Sequence, residues 1–110
     1  MERGKVFLVG AGPGDPELLT VKALRILEQA EVVVYDRLVS TGVLSLAARA
    51  LLIDGGKQQG QQERIQDEIN RLLVHHAQAG RNVVRLKAGD PMIFARGAEE
   101  WEHLVRRCWK

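Results

Sequence analysis

Four short runs rich in apolar residues punctuate the chain: Val6-Phe7-Leu8-Val9, Val32-Val33-Val34-Tyr35 and Leu51-Leu52-Ile53, each closed by glycine or an acidic residue, and a fourth inside Asn82 to Lys87. They are rich in β-branched residues and continuous rather than alternating, which predicts strands buried on both faces of a parallel sheet. Helical spacing fills the gaps. Thr20 is placed to N-cap a helix whose apolar stripe is Ala23, Leu24, Ile26, Leu27 and Ala30, ending near Ala30. Val43 to Ala50 reads as weakly helical. Ile65, Ile69, Leu72, Leu73 and His76 recur at offsets 0, 4, 7, 8 and 11, a helix with one buried face that Gly80 terminates. A last helix is expected to carry Trp101, Leu104, Val105 and Cys108, with Arg96, Glu99 and Glu100 at its solvated start.

The order β-α-β-α-β-α-β-α predicts an α/β fold: a parallel sheet of about four strands, right-handed crossovers, and helices on both faces. With 110 residues the prior is one domain. A sheet this small leaves at least one edge in need of cover by a partner subunit or by further chain. The stop after Trp109-Lys110 favours further chain.

Composition narrows the function classes. Apolar residues make up 45% of the chain and charged residues 27%, an ordinary globular balance. The net charge of +2 comes from 16 basic and 14 acidic residues, scattered apart from Arg106, Arg107 and Lys110, so no nucleic-acid footprint is expected. A single cysteine, Cys108, predicts a reducing compartment without disulfides. The N-terminus shows neither a signal peptide nor an apolar span, so a cytoplasmic location with no membrane partner is expected.

The candidate chemistry lies where strands end. Gly10-Ala11-Gly12-Pro13-Gly14-Asp15 follows the first strand and Lys87-Ala88-Gly89-Asp90-Pro91 the fourth, so in a parallel sheet both loops open on one edge. The first is no dinucleotide fingerprint, because Asp15 stands where the third glycine belongs and Pro13 has no N–H for a pyrophosphate. Such a loop suits close approach of a ligand without phosphates; a tight turn with no ligand satisfies the same spacing. Asp36, ending the second strand, suits a proton acceptor or a cap for the next helix. Lys57, after Gly55-Gly56, suits a donor or a solvated surface lysine. The Ala88-Gly89-Asp90-Pro91 segment suits a ribose or amino-acid group against backbone, or an ordinary type I turn. His75, His76 and His103 lack metal-ligand spacing, and no metal is assigned.

Taken together, Val9 to Thr20 (VGAGPGDPELLT), Val34 to Val39 (VYDRLV) and Val84 to Phe94 (VRLKAGDPMIF) resemble the tetrapyrrole methylase family. Within it the likeness is nearest to the members that C-methylate uroporphyrinogen III. The resemblance implies S-adenosyl-L-methionine as methyl donor and two successive C-methylations giving precorrin-2, on the route to sirohaem and cobalamin. It further implies donor contacts at Pro13, Ala88, Gly89, Asp90 and Ile93, a proton acceptor at Asp36 and a proton donor at Lys57. Family members have a second α/β domain and act as homodimers. Residues 1–110 therefore correspond to the N-terminal domain, with the C-terminal domain absent.

This chain departs from the family pattern at Ala88, Ala95 and Ala98, where glycines are usual, at Met92 for phenylalanine and at Gln62 for histidine. If those glycines need positive φ, each alanine costs about 1 kcal/mol or more. Two alternatives stand beside the main expectation. One is another methylase of the family, such as a precorrin methyltransferase; the other is a non-catalytic binding or dimerisation module.

Overall fold

The computed structural model describes residues 4–36, 38–55, 62–89 and 93–97. Four strands, β1 (Lys5–Gly10), β2 (Val32–Tyr35), β3 (Leu51–Asp54) and β4 (Val83–Lys87), form the expected parallel core. A fifth strand, β5 (Ile93–Gly97), pairs antiparallel with β1, and the sheet order is β3-β2-β4-β1-β5. Arg96 therefore sits in a strand and not at the start of a helix. The apolar run Ile93-Phe94-Ala95 suits a pleated surface, and the outer edge of β1 offers a row of unpaired backbone groups to it. The predicted helix residues Trp101, Leu104, Val105 and Cys108 lie outside the described residues.

Period-two alternation splits the strand residues between two cores. Val33, Val84, Leu86 and Val9 face one side, where α1 (Val21–Gln29) covers them with Ala23 and Leu27, and α2 (Thr41–Leu44) with Val43. Val6, Val32, Val34 and Val83 face the other side, against Ile69, Leu73 and Ala77 of α3 (Gln62–Gln78). Each fully buried valine or leucine contributes about 1.5–3 kcal/mol, so helices on both faces follow from strands that are apolar on both faces.

The predicted caps form. Thr20 Oγ1 accepts from Ala23 N at 3.0 Å, and Gly80 takes φ 89° just past α3. Two helical boundaries differ from expectation. The weak helix is Thr41–Leu44, followed by turns up to Ala50, with Ser40 as its N-cap. On α3 the buried line is Ile69, Leu73 and Ala77, while His76 lies at the flank, its Nδ1 accepting from Arg81 Nη1 at 2.9 Å. A stripe centred four residues apart turns Ala77 inward in place of His76.

Candidate active site

Because β1 and β4 are parallel neighbours, their loops leave the same sheet edge, and two backbone bonds stitch them together. Ala11 N donates to Lys87 O at 2.7 Å, and Gly89 N donates to Gly12 O at 3.1 Å. Beyond that crossing, Ile93 pairs with Val9 on the far side of β1. Pro13, Ala88, Gly89 and Ile93 are thus brought to one place; Asp90 lies outside the described residues. Pro13 is exposed, whereas Ala88 and Ile93 are half-buried against the α1 core.

Local backbone shows why glycines are needed here. Gly12, Gly14 and Gly89 have φ of 70°, 101° and 110°, where a side chain is disfavoured. Among the described residues, a Cβ added to Gly89 would meet no heavy atom within 4 Å. No described residue other than glycine has positive φ, so Ala88 and Ala95 carry no left-handed strain. The cost anticipated for alanine does not arise at these two positions; Ala98, Met92 and Asp90 fall outside the described residues.

The loop is not built to hold a phosphate. Pro13 offers no N–H, and the Asp15 carboxylate is engaged, its Oδ1 accepting from Glu17 N at 2.9 Å to cap the 3₁₀ turn Pro16–Leu18. Neither provides a phosphate cradle, and a donor without phosphates needs none.

Asp36 lies at the same edge, directly after β2. Its Oδ1 accepts from Leu38 N at 3.0 Å and its carbonyl from Val39 N at 3.2 Å, so it caps a turn and leaves the helix to Ser40. A second group, not singled out from sequence, lies behind it. Arg85 of β4 is only 7% exposed, and its Nη1 donates to Val34 O at 3.4 Å. Burial pushes the Arg85 pKa down, and the charge of Asp36 pulls it back up. The available signal was an arginine inside the otherwise apolar run Val83-Val84-Arg85-Leu86, since a cation in a buried strand needs a nearby anion. Lys57 falls outside the described residues.

A cavity of about 90 Å³ lies under α3, lined by Val34, Ile53, Asp54, Gly55, Glu68, Ile69 and Leu72. Ligand sites for drug-sized molecules run to about 300–1,000 Å³, so it is too small for a nucleoside or a macrocycle. Among the described residues no group of three or more His, Cys, Asp or Glu is placed to hold a metal, and no helix is long and apolar enough to cross a membrane.

Comparison with known proteins identifies the family. A family model for tetrapyrrole (corrin/porphyrin) methylases matches residues 5–109. The chain is 56% identical over 104 residues to a uroporphyrinogen-III C-methyltransferase of Synechocystis sp., covering 94% of this chain and 40% of the relative. It is 57% identical over 103 residues to a siroheme synthase of Acinetobacter baylyi, covering 93% of this chain and 22% of that protein. Among solved structures, uroporphyrin-III-C-methyltransferase from Thermus thermophilus superposes with a TM-score of 0.72 at 49% identity, over 96% of this chain and 44% of that one. A Thermus thermophilus uroporphyrin-III C-methyl transferase complexed with S-adenyl homocysteine gives 0.68 at 56% identity, over 94% and 43%. The chain thus spans less than half the length of these relatives. With a family model covering nearly all of it and identities of 49% to 57%, the chain belongs to the tetrapyrrole (corrin/porphyrin) methylases.

Proposed function

We propose that this chain is the donor-loop portion of an S-adenosyl-L-methionine-dependent methyltransferase that converts uroporphyrinogen III to precorrin-2, feeding sirohaem or cobalamin synthesis. The observation that carries the reading is the Gly89–Gly12 hydrogen bond, which joins the two glycine loops. The relative solved with S-adenyl homocysteine supports it.

In this proposal the donor lies against Pro13, Ala88, Gly89, Asp90 and Ile93, and supplies an electrophilic methyl group for in-line displacement. The protein's chief work is to hold both reactants at attack distance, which supplies several kcal/mol of a barrier. Asp36 takes the N–H proton as the pyrrole carbon bonds the methyl group and the S–CH3 bond breaks, the donor leaving as its thioether; Lys57 is the proton donor that the resemblance implies. Arg85 behind Asp36 keeps a positive charge near that carboxylate. A second α/β domain closes the donor pocket, and the complete protein is a cytoplasmic homodimer whose partners are small molecules, with no metal, nucleic acid or membrane in the reaction.

The test is a titration of the isotope-labelled chain with S-adenosyl-L-homocysteine, followed by NMR. Amide shifts centred on Gly12, Gly14, Ala88, Gly89, Asp90 and Ile93 are expected; shifts centred elsewhere refute the donor site. The purified chain is expected to transfer no methyl group alone, because half the walls of a pocket bury only part of a ligand. A panel of acceptors offered to the complete enzyme separates uroporphyrinogen III from a precorrin. The cobalt precorrin-4 methyltransferase structure is less similar, at 32% identity and a TM-score of 0.63.

A further inference from the structure

We infer that Ser40 is a positioning residue that ties the donor loop to the loop bearing Asp36, an inference that rests on the donor-site reading above. The Ser40 hydroxyl donates to Gly14 O at 2.6 Å and accepts from Val43 N at 3.2 Å. Its single proton is thereby spent on the donor loop and one lone pair on the cap of α2.

Each end of this link is rigid. Gly14 directly follows Pro13 and is held at φ 101°. Pro16, two residues on, packs so closely on the first turn of α2 that a Cβ at Gly42 would lie 2.9 Å from its Cγ. On the other side, Leu38 N donates to Asp36 Oδ1 and Val39 N to Asp36 O, and Val39, next to Ser40, is buried as an anchor. Ser40 therefore connects a residue proposed to touch the donor with the residue proposed to take a proton from the acceptor. Methyl transfer depends on that separation, since a misplacement of about 1 Å costs on the order of 10²-fold in rate.

Three variants separate the link from the cap. Ser40→Thr keeps donor and acceptor; Ser40→Asp keeps an acceptor for Val43 N but has no proton for Gly14 O; Ser40→Ala loses both. Each is melted in urea and titrated with S-adenosyl-L-homocysteine by NMR. Ser40→Thr is expected to bind within about twofold of the parent. Ser40→Asp is expected to unfold close to the parent yet bind roughly tenfold more weakly, as for loss of one hydrogen bond, and Ser40→Ala to lose on both counts. Parental affinity in Ser40→Asp and Ser40→Ala overturns the link while leaving the donor site intact. A parent chain that shows no shifts at the glycine loops overturns the donor site, and the link with it.

Discussion

The amide of Gly89 donates to the carbonyl of Gly12 across the end of β1, at 3.1 Å, so that two loops far apart in the chain become one wall. Both glycines have positive φ, and neither contact involves a side chain. The wall is made of backbone, and its shape depends on residues that tolerate left-handed geometry.

Gly89→Ala is expected to destabilise the chain by about 1 kcal/mol through backbone strain alone, since the new methyl group meets no neighbour among the described residues. Ala88→Gly tests the complementary point. Ala88 has no left-handed strain to relieve, so glycine there is expected to lower stability by about 0.4–1 kcal/mol through unfolded-state entropy. Urea denaturation of both variants decides; a gain in stability for Ala88→Gly would show that alanine is strained after all.

Asp36 has two separable duties. Asp36→Asn keeps an oxygen for Leu38 N but loses the charge that attracts Arg85, whereas Asp36→Ala loses the turn cap as well. The alanine variant is expected to lose about 1 kcal/mol and the asparagine variant less. In the complete enzyme, methyl transfer is expected to fall by about 10²–10⁴-fold in both, the usual range for a lost general base. Parental turnover in Asp36→Asn would remove Asp36 from proton transfer.

His76 predicts a pH dependence with a definite sign. Burial first, then the positive charges of Arg81 and His75, hold its pKa below the ordinary 6.5, and Arg81 Nη1 sits on Nδ1 as a donor to the neutral ring. The unfolded chain therefore takes up this proton before the folded one does. Stability from His76 is complete above about pH 6.5 and declines as pH falls toward the lower folded value. His76→Gln is expected to flatten the fall below about pH 6.5 in urea melts, and an unchanged slope would exclude His76 as its source.

Burial separates two leucines that look alike in sequence. Leu73 is fully buried between α3 and the sheet, and Leu73→Ala is expected to cost about 2–5 kcal/mol. Leu51 on the outer strand is 58% exposed, and Leu51→Ala is expected to change stability by no more than about 0.5 kcal/mol. Equal effects in chemical denaturation would contradict the placement of β3 at the sheet edge.

Much of this architecture was legible because its signals are local. The run Val32-Val33-Val34-Tyr35 coincides with β2, Thr20 caps α1, and Gly80 ends α3, each decided by residues within a turn or two. The two glycine loops stood out for a different reason: long motifs around Pro13 and Gly89 resemble those of a known family. Short signals misled where they were weakest. Segment 43–50 holds only the end of the one-turn helix Thr41–Leu44 and then turns, and Arg96 sits in a strand because β1 offered an unpaired edge.

The amino-acid order by itself determined the four parallel strands, the helices α1 and α3, and that both glycine loops leave one edge of a parallel sheet. Only the tertiary structure decided that β5 returns antiparallel beside β1, that Arg85 lies buried behind Asp36, and that Ser40 reaches Gly14. The physical reason is range. Periodicity and caps are written in neighbouring residues, whereas the partner of an edge strand, a buried cation or a hydroxyl proton is chosen among all groups that folding brings within a few ångströms.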